Sequence, residues 1–224
     1  STAIFYTEYY RDIYESSADK ESLDARYARY ANRRIPALLK KEQTIVEIGC
    51  GGGWNLMPFH NAGFTSYGFD FDPDFIEHGK KRGLQLFEGG IERAVTEKIQ
   101  ADYVLLNQVL EHVDDPVEFL KSLHPILKEN AYVHIFVPSC DLLPWGYGDG
   151  DLLGTLQNAH NFLFDEHTLQ ETAKKAGFTP LYCTAGTLLV QYRPSEKQSE
   201  SSSSNNKAKR PCCKAENIIF CITL

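Results

Sequence analysis

The feature that most constrains this chain is a glycine-rich turn that directly follows a short apolar segment. Residues 44–48 read TIVEI, which is typical of a buried strand, and residues 49–53 read GCGGG. A glycine turn between a strand and a helix lets a ligand approach the backbone closely. Trp54 stands where the dinucleotide fingerprint requires its third glycine, and no Gly-Lys-Ser/Thr follows as in a P-loop. The turn therefore predicts a nucleotide-like ligand without identifying it.

Strand-like and helix-like patterns alternate after this turn. Strands are predicted at residues 44–48, 66–71, 84–87, 101–106, 131–137, 179–183 and 187–192, and helices at 54–62, from Pro73 onward, 115–128 and 165–176. Such alternation is typical of a mostly parallel sheet with helices on both faces. The last two strands are close enough to form an antiparallel hairpin at the sheet edge. The predicted fold class is a doubly wound, Rossmann-like, seven-stranded α/β sheet.

Three regions are predicted along the chain. Residues 1–40 carry aromatic residues at helical spacing and form an N-terminal helical cap, either as a packing face or as a lid over a pocket. Residues 41–194 form the α/β domain, in which a long Gly-, Pro- and Asp-rich loop contains Trp145 and Tyr147. Residues 195–224 are rich in serine and form a flexible tail.

Composition excludes several classes of protein. The chain has 23 Lys and Arg against 30 Asp and Glu, and this acidic balance argues against a nucleic-acid binder. No apolar run is long enough for a transmembrane segment, and no secretory signal opens the chain. The six cysteines do not form a disulfide framework, which favours reduced thiols and a cytoplasmic location. Cys221 begins a loose prenylation pattern, but Thr223 is a poor aliphatic residue, so we favour an unmodified tail over a lipid anchor.

Polar residues follow the second and fourth strands. Asp70 ends the second strand, and an acid at that point of a doubly wound sheet can accept both hydroxyls of a ribose. Asp72 is better placed to cap the helix that starts at Pro73. Asn107 and Gln108 follow the fourth strand, at the edge where open α/β sheets bind ligands.

In this order, the segments VEIGCGGG, YGFDFDP, LLNQVLEHVDDP and HNFLFDEHTLQETAKKAGF resemble the class I S-adenosylmethionine-dependent methyltransferases. The likeness covers about residues 44–192 and is greatest to the small-molecule, ubiquinone-biosynthesis-like branch. It implies a seven-stranded sheet whose last-but-one strand is antiparallel. It also implies S-adenosylmethionine as the cofactor, with S-adenosylhomocysteine as its product, and in-line methyl transfer to an oxygen or a nitrogen of a small-molecule acceptor.

The resemblance also implies a set of cofactor-binding residues. They are Glu47, Gly49, Cys50, Gly51, Gly53, Asp70, Phe71, Gly90, Ile91, Asn107 and Gln108. Glu47 would lie near the methionyl amino group, Asp70 on the ribose and Phe71 on the adenine, while the glycine turn contributes its backbone. Gly90 stands where the family has an acid near the adenine, so the backbone of Ile91 or the Glu92 carboxyl would substitute.

Histidine is the usual general base near neutral pH, and two histidines are candidates to deprotonate a hydroxyl acceptor. His112 follows the fourth strand and is the first candidate, although it could instead orient its loop; His160 lies beside the long loop. His134, inside a strand, is expected to be a core residue. Glu111 and His112 alone do not make a metal site, and none is predicted.

Two other classes of function stay open. A non-catalytic cofactor-binding module would have the same fold. A nucleotide-sugar or NAD-dependent enzyme is disfavoured by Trp54 and by the lack of a Tyr-x-x-x-Lys pair. The partners predicted are a small-molecule substrate and no nucleic acid, and the oligomeric state is left open.

Overall fold

The computed structural model describes residues 20–140 and 160–194, in which seven strands form one sheet. The strands are β1 (Thr44–Ile48), β2 (Thr65–Asp70), β3 (Gln85–Glu88), β4 (Ala101–Asn107), β5 (Leu127–Phe136), β6 (Phe178–Thr184) and β7 (Thr187–Tyr192). The α-helices are α1 (Lys20–Ala31), α2 (Met57–Asn61), α3 (Pro73–Lys80), α4 (Ile91–Thr96), α5 (Pro116–Ser122) and α6 (Glu166–Lys175). Short 3₁₀ helices span Trp54–Leu56, Leu110–His112 and His124–Ile126. The aromatic stripe before residue 20, the Trp145 loop and the tail with Cys221 lie outside the described residues.

The strand order is β3-β2-β1-β4-β5-β7-β6. Strand β1 pairs in parallel with β2 on one side and with β4 on the other, so the direction of winding reverses between β1 and β4. Strand β7 runs antiparallel to both β5 and β6. This confirms the predicted doubly wound sheet with a hairpin at its edge. Ligands of such sheets bind at the carboxyl ends of the strands where the winding reverses.

The helix predicted at 115–128 is shorter than expected. Asp115 caps α5 through hydrogen bonds from the backbone N–H groups of Val117 and Glu118, as the sequence indicates, but the helix ends at Ser122. Pro125 follows within a 3₁₀ turn, and proline has no N–H to continue an α-helix. Strand β5 therefore begins at Leu127, four residues earlier than predicted.

The N-terminal helix also ends early. The amphipathic pattern continues to Leu38, yet α1 ends at Ala31, and Pro36 lies in a turn rather than restarting the helix. Within the described residues, no helix is long and apolar enough to cross a membrane.

Helices cover both faces of the sheet, and each face has its own core. On one face, α4, α5 and α6 contribute Ala94, Leu120 and Leu169 to a core with the sheet. On the other face, α1, α2 and α3 contribute Tyr27, Phe59 and Ile76. Helix α1, although it lies in the predicted cap, thus shares a core with β1 and β4. The glycine turn lies on this α1 face.

Candidate functional site

The glycine turn connects β1 to the first 3₁₀ helix through a tight backbone. Gly49, Gly51 and Gly53 have φ angles of 70°, 52° and 76°, in the left-handed region that glycine alone adopts without strain. A Cβ on Gly51 would lie 2.5 Å from the Trp54 ring. The Cys50 thiol is buried, and burial raises its pKa, so only the backbone of this residue is suited to contact a ligand. The turn is therefore a backbone cradle, as predicted.

Asp70 lies beside this cradle with both carboxyl oxygens hydrogen-bonded to backbone. Its Oδ2 accepts from the Gly51 N–H at 2.7 Å, and its Oδ1 accepts from the Asp72 N–H at 2.9 Å. Burial raises the pKa of Asp70, and these two hydrogen bonds oppose that effect. Each oxygen keeps a second lone pair, so the carboxylate can still accept hydrogen bonds from two hydroxyls.

Asp72 has a different role from Asp70. Its Oδ1 accepts from the Asp74 and Phe75 N–H groups at 2.9 and 3.0 Å, which makes it the N-cap of α3. The predicted Asp72 cap is confirmed, and the role of Asp70 as a ribose acceptor stays a prediction.

Glu47 is a fully buried carboxyl with one unpartnered oxygen. Asn55 donates to its Oε1 at 2.6 Å, while Oε2 has no hydrogen-bond partner among the described residues. Burial raises the pKa of Glu47 to about 8; the Asn55 hydrogen bond opposes the rise, and the Asp70 charge adds to it. Buried polar atoms are nearly always paired, so an unpartnered oxygen indicates that a donor from outside the chain can bind here.

The segment that follows β3 lies beside the exposed ring of Phe71. A Cβ on Gly90 would lie 3.2 Å from the tip of that ring. Glu92 folds back over Gly90, and its Oε1 accepts from the Gly90 N–H at 2.7 Å. An acid is therefore present beside Gly90, although it comes from two residues later. The Ile91 side chain lies in the core, which leaves its backbone to face a ligand.

A cleft with about 460 Å³ of empty space, part of it open to solvent, lies at the carboxyl ends of β4 and β5. Asn107 lines it as predicted, whereas the exposed Gln108 does not. The cleft is lined by Arg33, Arg34, Asn55, Pro58, Phe59, Leu105, Leu106, Asn107, His134 and Phe136. Asn55, which lines the cleft, also donates to Glu47, so the cleft lies close to the strand that leads into the glycine turn.

Several of these cleft residues were missed by sequence reasoning. Arg33 and Arg34 lie between α1 and β1, where an adjacent pair of arginines was the only signal. His134 was expected in the core, but its place in β5 opposite Leu105 brings it to the cleft wall.

The two predicted catalytic histidines lie against each other. The ring centroids of His112 and His160 are 4.8 Å apart, because Asn161 binds the His112 loop: its N–H donates to the Glu111 carbonyl and its side chain to the His112 carbonyl. Glu111 completes the cluster, with its Oε1 3.8 Å from His112 Nε2.

Glu111 itself is buried, and neither of its carboxyl oxygens has a hydrogen-bond partner among the described residues. Burial raises its pKa to about 8. The cluster has the donor atoms to hold a divalent cation, since one ligand atom from each of Glu111, His112 and His160 lies within 4.8 Å of the others. Sequence reasoning saw only two neighbouring ligands here.

Comparison with known proteins agrees with this geometry. Residues 20–182 match the methyltransferase domain family. The chain belongs to that family, and its predicted membership of the class I S-adenosylmethionine-dependent methyltransferases is confirmed.

Among its curated relatives is the ubiquinone biosynthesis O-methyltransferase of Caulobacter sp. strain K31, 33% identical over 118 residues that cover 48% of this chain and 44% of the relative. The protein of the same name from Caulobacter vibrioides is 31% identical over 126 residues, covering 52% and 48%. The chain thus matches about half the length of these relatives. A methyltransferase structure from Archaeoglobus fulgidus has the same fold, with a TM-score of 0.54 and 22% identity over 77% of this chain and 75% of that one.

Proposed function

We propose that this protein transfers a methyl group from S-adenosylmethionine to a hydroxyl group of a small molecule. The observation that carries the proposal is the Asp70 carboxylate, held by the Gly51 N–H beside the glycine turn where the winding of the sheet reverses. A ribose with two free hydroxyls fits that acceptor pair. The O-methyltransferase names of the curated relatives support oxygen as the acceptor atom.

The residues present fit the whole cofactor. The unpartnered Glu47 oxygen suits a methionyl ammonium group, and Phe71 with Glu92 suits an adenine ring and its amino group. The guanidinium groups of Arg33 and Arg34 in the adjoining cleft suit a carboxylate. When bound, S-adenosylmethionine supplies an electrophilic methyl group on a sulfonium.

The contribution of the chain to transfer is alignment and proton removal. Asn107 and the apolar walls of the cleft hold an acceptor at the carboxyl end of β4 and limit water. His112 or His160 accepts the proton of the acceptor hydroxyl, and the imidazolium that forms favours ionisation of the neighbouring Glu111 carboxyl, which then stabilises it. The oxyanion left by proton removal is a stronger nucleophile than the neutral hydroxyl.

A matched pair of aspartate variants tests the cofactor site. Asp70→Ala is expected to weaken S-adenosylhomocysteine binding by about 1–3 kcal/mol, because a charged acceptor of hydrogen bonds is lost. Asp72→Ala is expected to lower the free energy of unfolding by about 1 kcal/mol through loss of the α3 cap while leaving the affinity nearly unchanged. Calorimetry and urea unfolding of both variants give the two readouts. Equal affinities for wild type and Asp70→Ala would contradict the site.

The other two classes of function have direct tests. S-adenosylhomocysteine is expected to raise the melting temperature and NAD is not, since only a ligand of the folded state stabilises it. A non-catalytic module would bind the cofactor without forming any methylated product from labelled S-adenosylmethionine. We further place the protein in the cytoplasm, and an unmodified Cys221 in mass spectrometry of native protein is the expected result.

A further inference from the structure

A buried tyrosine and a histidine form a pair beneath the cleft. Tyr103 on β4 is 1% exposed, and its hydroxyl lies 2.9 Å from Nδ1 of His134 on the neighbouring strand β5. His134 borders the cleft together with Asn107 and Phe136. Since Nδ1 is hydrogen-bonded to Tyr103, Nε2 is the ring nitrogen that can form a hydrogen bond with a molecule in the cleft.

The burial of Tyr103 determines which atom carries the proton. If His134 donated from Nδ1, the tyrosine hydrogen would need a second acceptor, and His134 is the hydrogen-bond partner of this hydroxyl among the described residues. A buried donor without an acceptor is strongly disfavoured, because it has lost its hydrogen bonds to water. The arrangement that satisfies both groups has the Tyr103 hydroxyl donating to Nδ1, which leaves the proton of the neutral ring on Nε2.

His134 keeps this neutral form at physiological pH. Burial lowers its pKa to about 4, so the ring does not gain a second proton near neutrality. It therefore cannot accept a proton from a substrate through Nδ1, and it offers one N–H donor through Nε2. The other polar groups of the cleft, Arg33, Arg34, Asn55 and Asn107, also include N–H donors.

We propose that Tyr103 is a positioning residue that holds His134 as its Nε2–H tautomer, and that this N–H binds an acceptor oxygen of the molecule in the cleft. The oxygen belongs to a carboxylate or a hydroxyl group, because an imidazole N–H donor complements an oxygen lone pair. The inference rests on the proposed function for its ligand, which is either the carboxylate end of the cofactor or an oxygen of the methyl acceptor. The tautomer itself is a property of the protein alone.

Nitrogen NMR of histidine-labelled protein at pH 7 tests the tautomer without any ligand. The expected wild-type spectrum shows His134 as a single neutral Nε2–H form. In Tyr103→Phe the ring loses its donor at Nδ1, so the His134 resonances are expected to move towards a mixture of tautomers. Tyr132→Phe, which removes a hydroxyl from the neighbouring part of β5, is the matched control and leaves them unchanged. A charged or Nδ1–H His134 in the wild type would overturn the proposal.

Two ligand titrations then identify the source of the oxygen. A shift of the His134 Nε2–H signal on adding S-adenosylhomocysteine assigns the oxygen to the cofactor. A shift that appears only when benzoate, a carboxylate probe, is added to the S-adenosylhomocysteine complex assigns it to the acceptor. If His134 responds to neither while S-adenosylhomocysteine binds, the donor role is wrong and the proposed function stands. If S-adenosylhomocysteine does not bind to the wild type at all, the proposed function fails instead.

Substitution of His134 provides a rescue test. Gln retains an N–H donor near the position of Nε2, whereas Leu removes it. The affinity measured is that for the ligand that shifts the His134 signal. We expect His134→Leu to lower this affinity about tenfold and His134→Gln to recover most of the loss. The melting temperature of each variant checks that both remain folded. Equal affinities for the two variants would show that His134 only fills space.

Discussion

Two acidic side chains near the ends of β1 and β2 differ in how their burial is compensated. Asp70 accepts hydrogen bonds from two backbone N–H groups, whereas Glu47 accepts one from Asn55 and has an oxygen with no partner in the described part of the chain. An ionised carboxylate is stabilised by each donor it receives, so the weaker compensation leaves the pKa of Glu47 at about 8. Near neutral pH, Glu47 therefore carries its proton until a cation arrives.

This raised pKa predicts how stability depends on pH. The pKa of Glu47 is about 8 in the folded protein and 4.5 ordinarily, so between these pH values the folded protein keeps a proton that the unfolded chain has lost. The contribution of this proton to stability is full below pH 4.5 and is lost as pH rises to 8. Stability should fall across this window by up to about 1.4 kcal/mol per pH unit. In Glu47→Gln the fall is expected to be smaller, as measured by urea unfolding from pH 5 to 8. Glu118→Gln, at an exposed position, is the control. If the stability of Glu47→Gln depends on pH as steeply as that of the wild type, the raised pKa does not belong to Glu47.

The same carboxyl predicts a proton change on cofactor binding. An ammonium group beside Glu47 favours its ionised form, so binding of S-adenosylhomocysteine at pH 7 should release up to about one proton. Calorimetry in two buffers of different ionisation enthalpy measures this number directly. Glu47→Gln is expected to bind without the release. Identical proton counts for the two proteins would place the ammonium elsewhere.

At the scale of elements, helix α1 holds the glycine turn in place. The Tyr27 hydroxyl donates to the Gly52 carbonyl, and the Tyr27 ring packs edge-on against Trp54 with centroids 6.2 Å apart. Arg26 of the same helix lies 4.5 Å above the Trp54 ring. The glycine turn, to which we assign cofactor binding, is therefore stabilised from outside the α/β alternation.

Loss of this contact should loosen the turn. Tyr27→Phe is expected to lower the free energy of unfolding by about 0.5–1.5 kcal/mol, the usual value of one hydrogen bond, and to weaken S-adenosylhomocysteine binding several-fold. Tyr30→Phe on the same helix keeps an aromatic ring beneath Arg33 and is the matched control. Unfolding curves and calorimetry check both effects. An unchanged affinity in Tyr27→Phe would show that the turn keeps its shape without α1.

At the scale of the whole molecule, all seven strands of the described sheet precede the serine-rich segment. Strand β7 ends at Tyr192 and pairs with both β5 and β6, so β6 is the edge of the described sheet on that side. The separation into residues 1–40, 41–194 and 195–224 remains a prediction. Its first boundary divides α1 from strands with which α1 shares a core.

Removal of residues 195–224 tests the last boundary. We expect the melting temperature and the affinity for S-adenosylhomocysteine to stay within experimental error, because the described sheet and both of its cores lie within the retained chain. Differential scanning calorimetry of the truncated and full chains measures the first quantity. A lower melting temperature would mean that apolar residues such as Ile218 and Phe220 pack on the domain.

Much of the fold and the nucleotide end of the site follows from the sequence alone. Seven strands, the glycine turn and the separate roles of Asp70 and Asp72 were predictable because they depend on local patterns: apolar periodicity, positive φ angles and the cap before a proline. The helix predicted to reach residue 128 failed for an equally local reason, since Pro125 was given too little weight against the apolar pattern around it.

Only the tertiary structure decided which distant residues meet. Glu111 and His112 are neighbours in the sequence, and His160 was a separate candidate until the hydrogen bonds of Asn161 brought the two segments together. His134 reads as a core residue in a strand, and its position at the cleft wall depends on the register of β5 against β4. Periodicity along a strand tells which residues share a face, but pairing between strands determines what each of them faces.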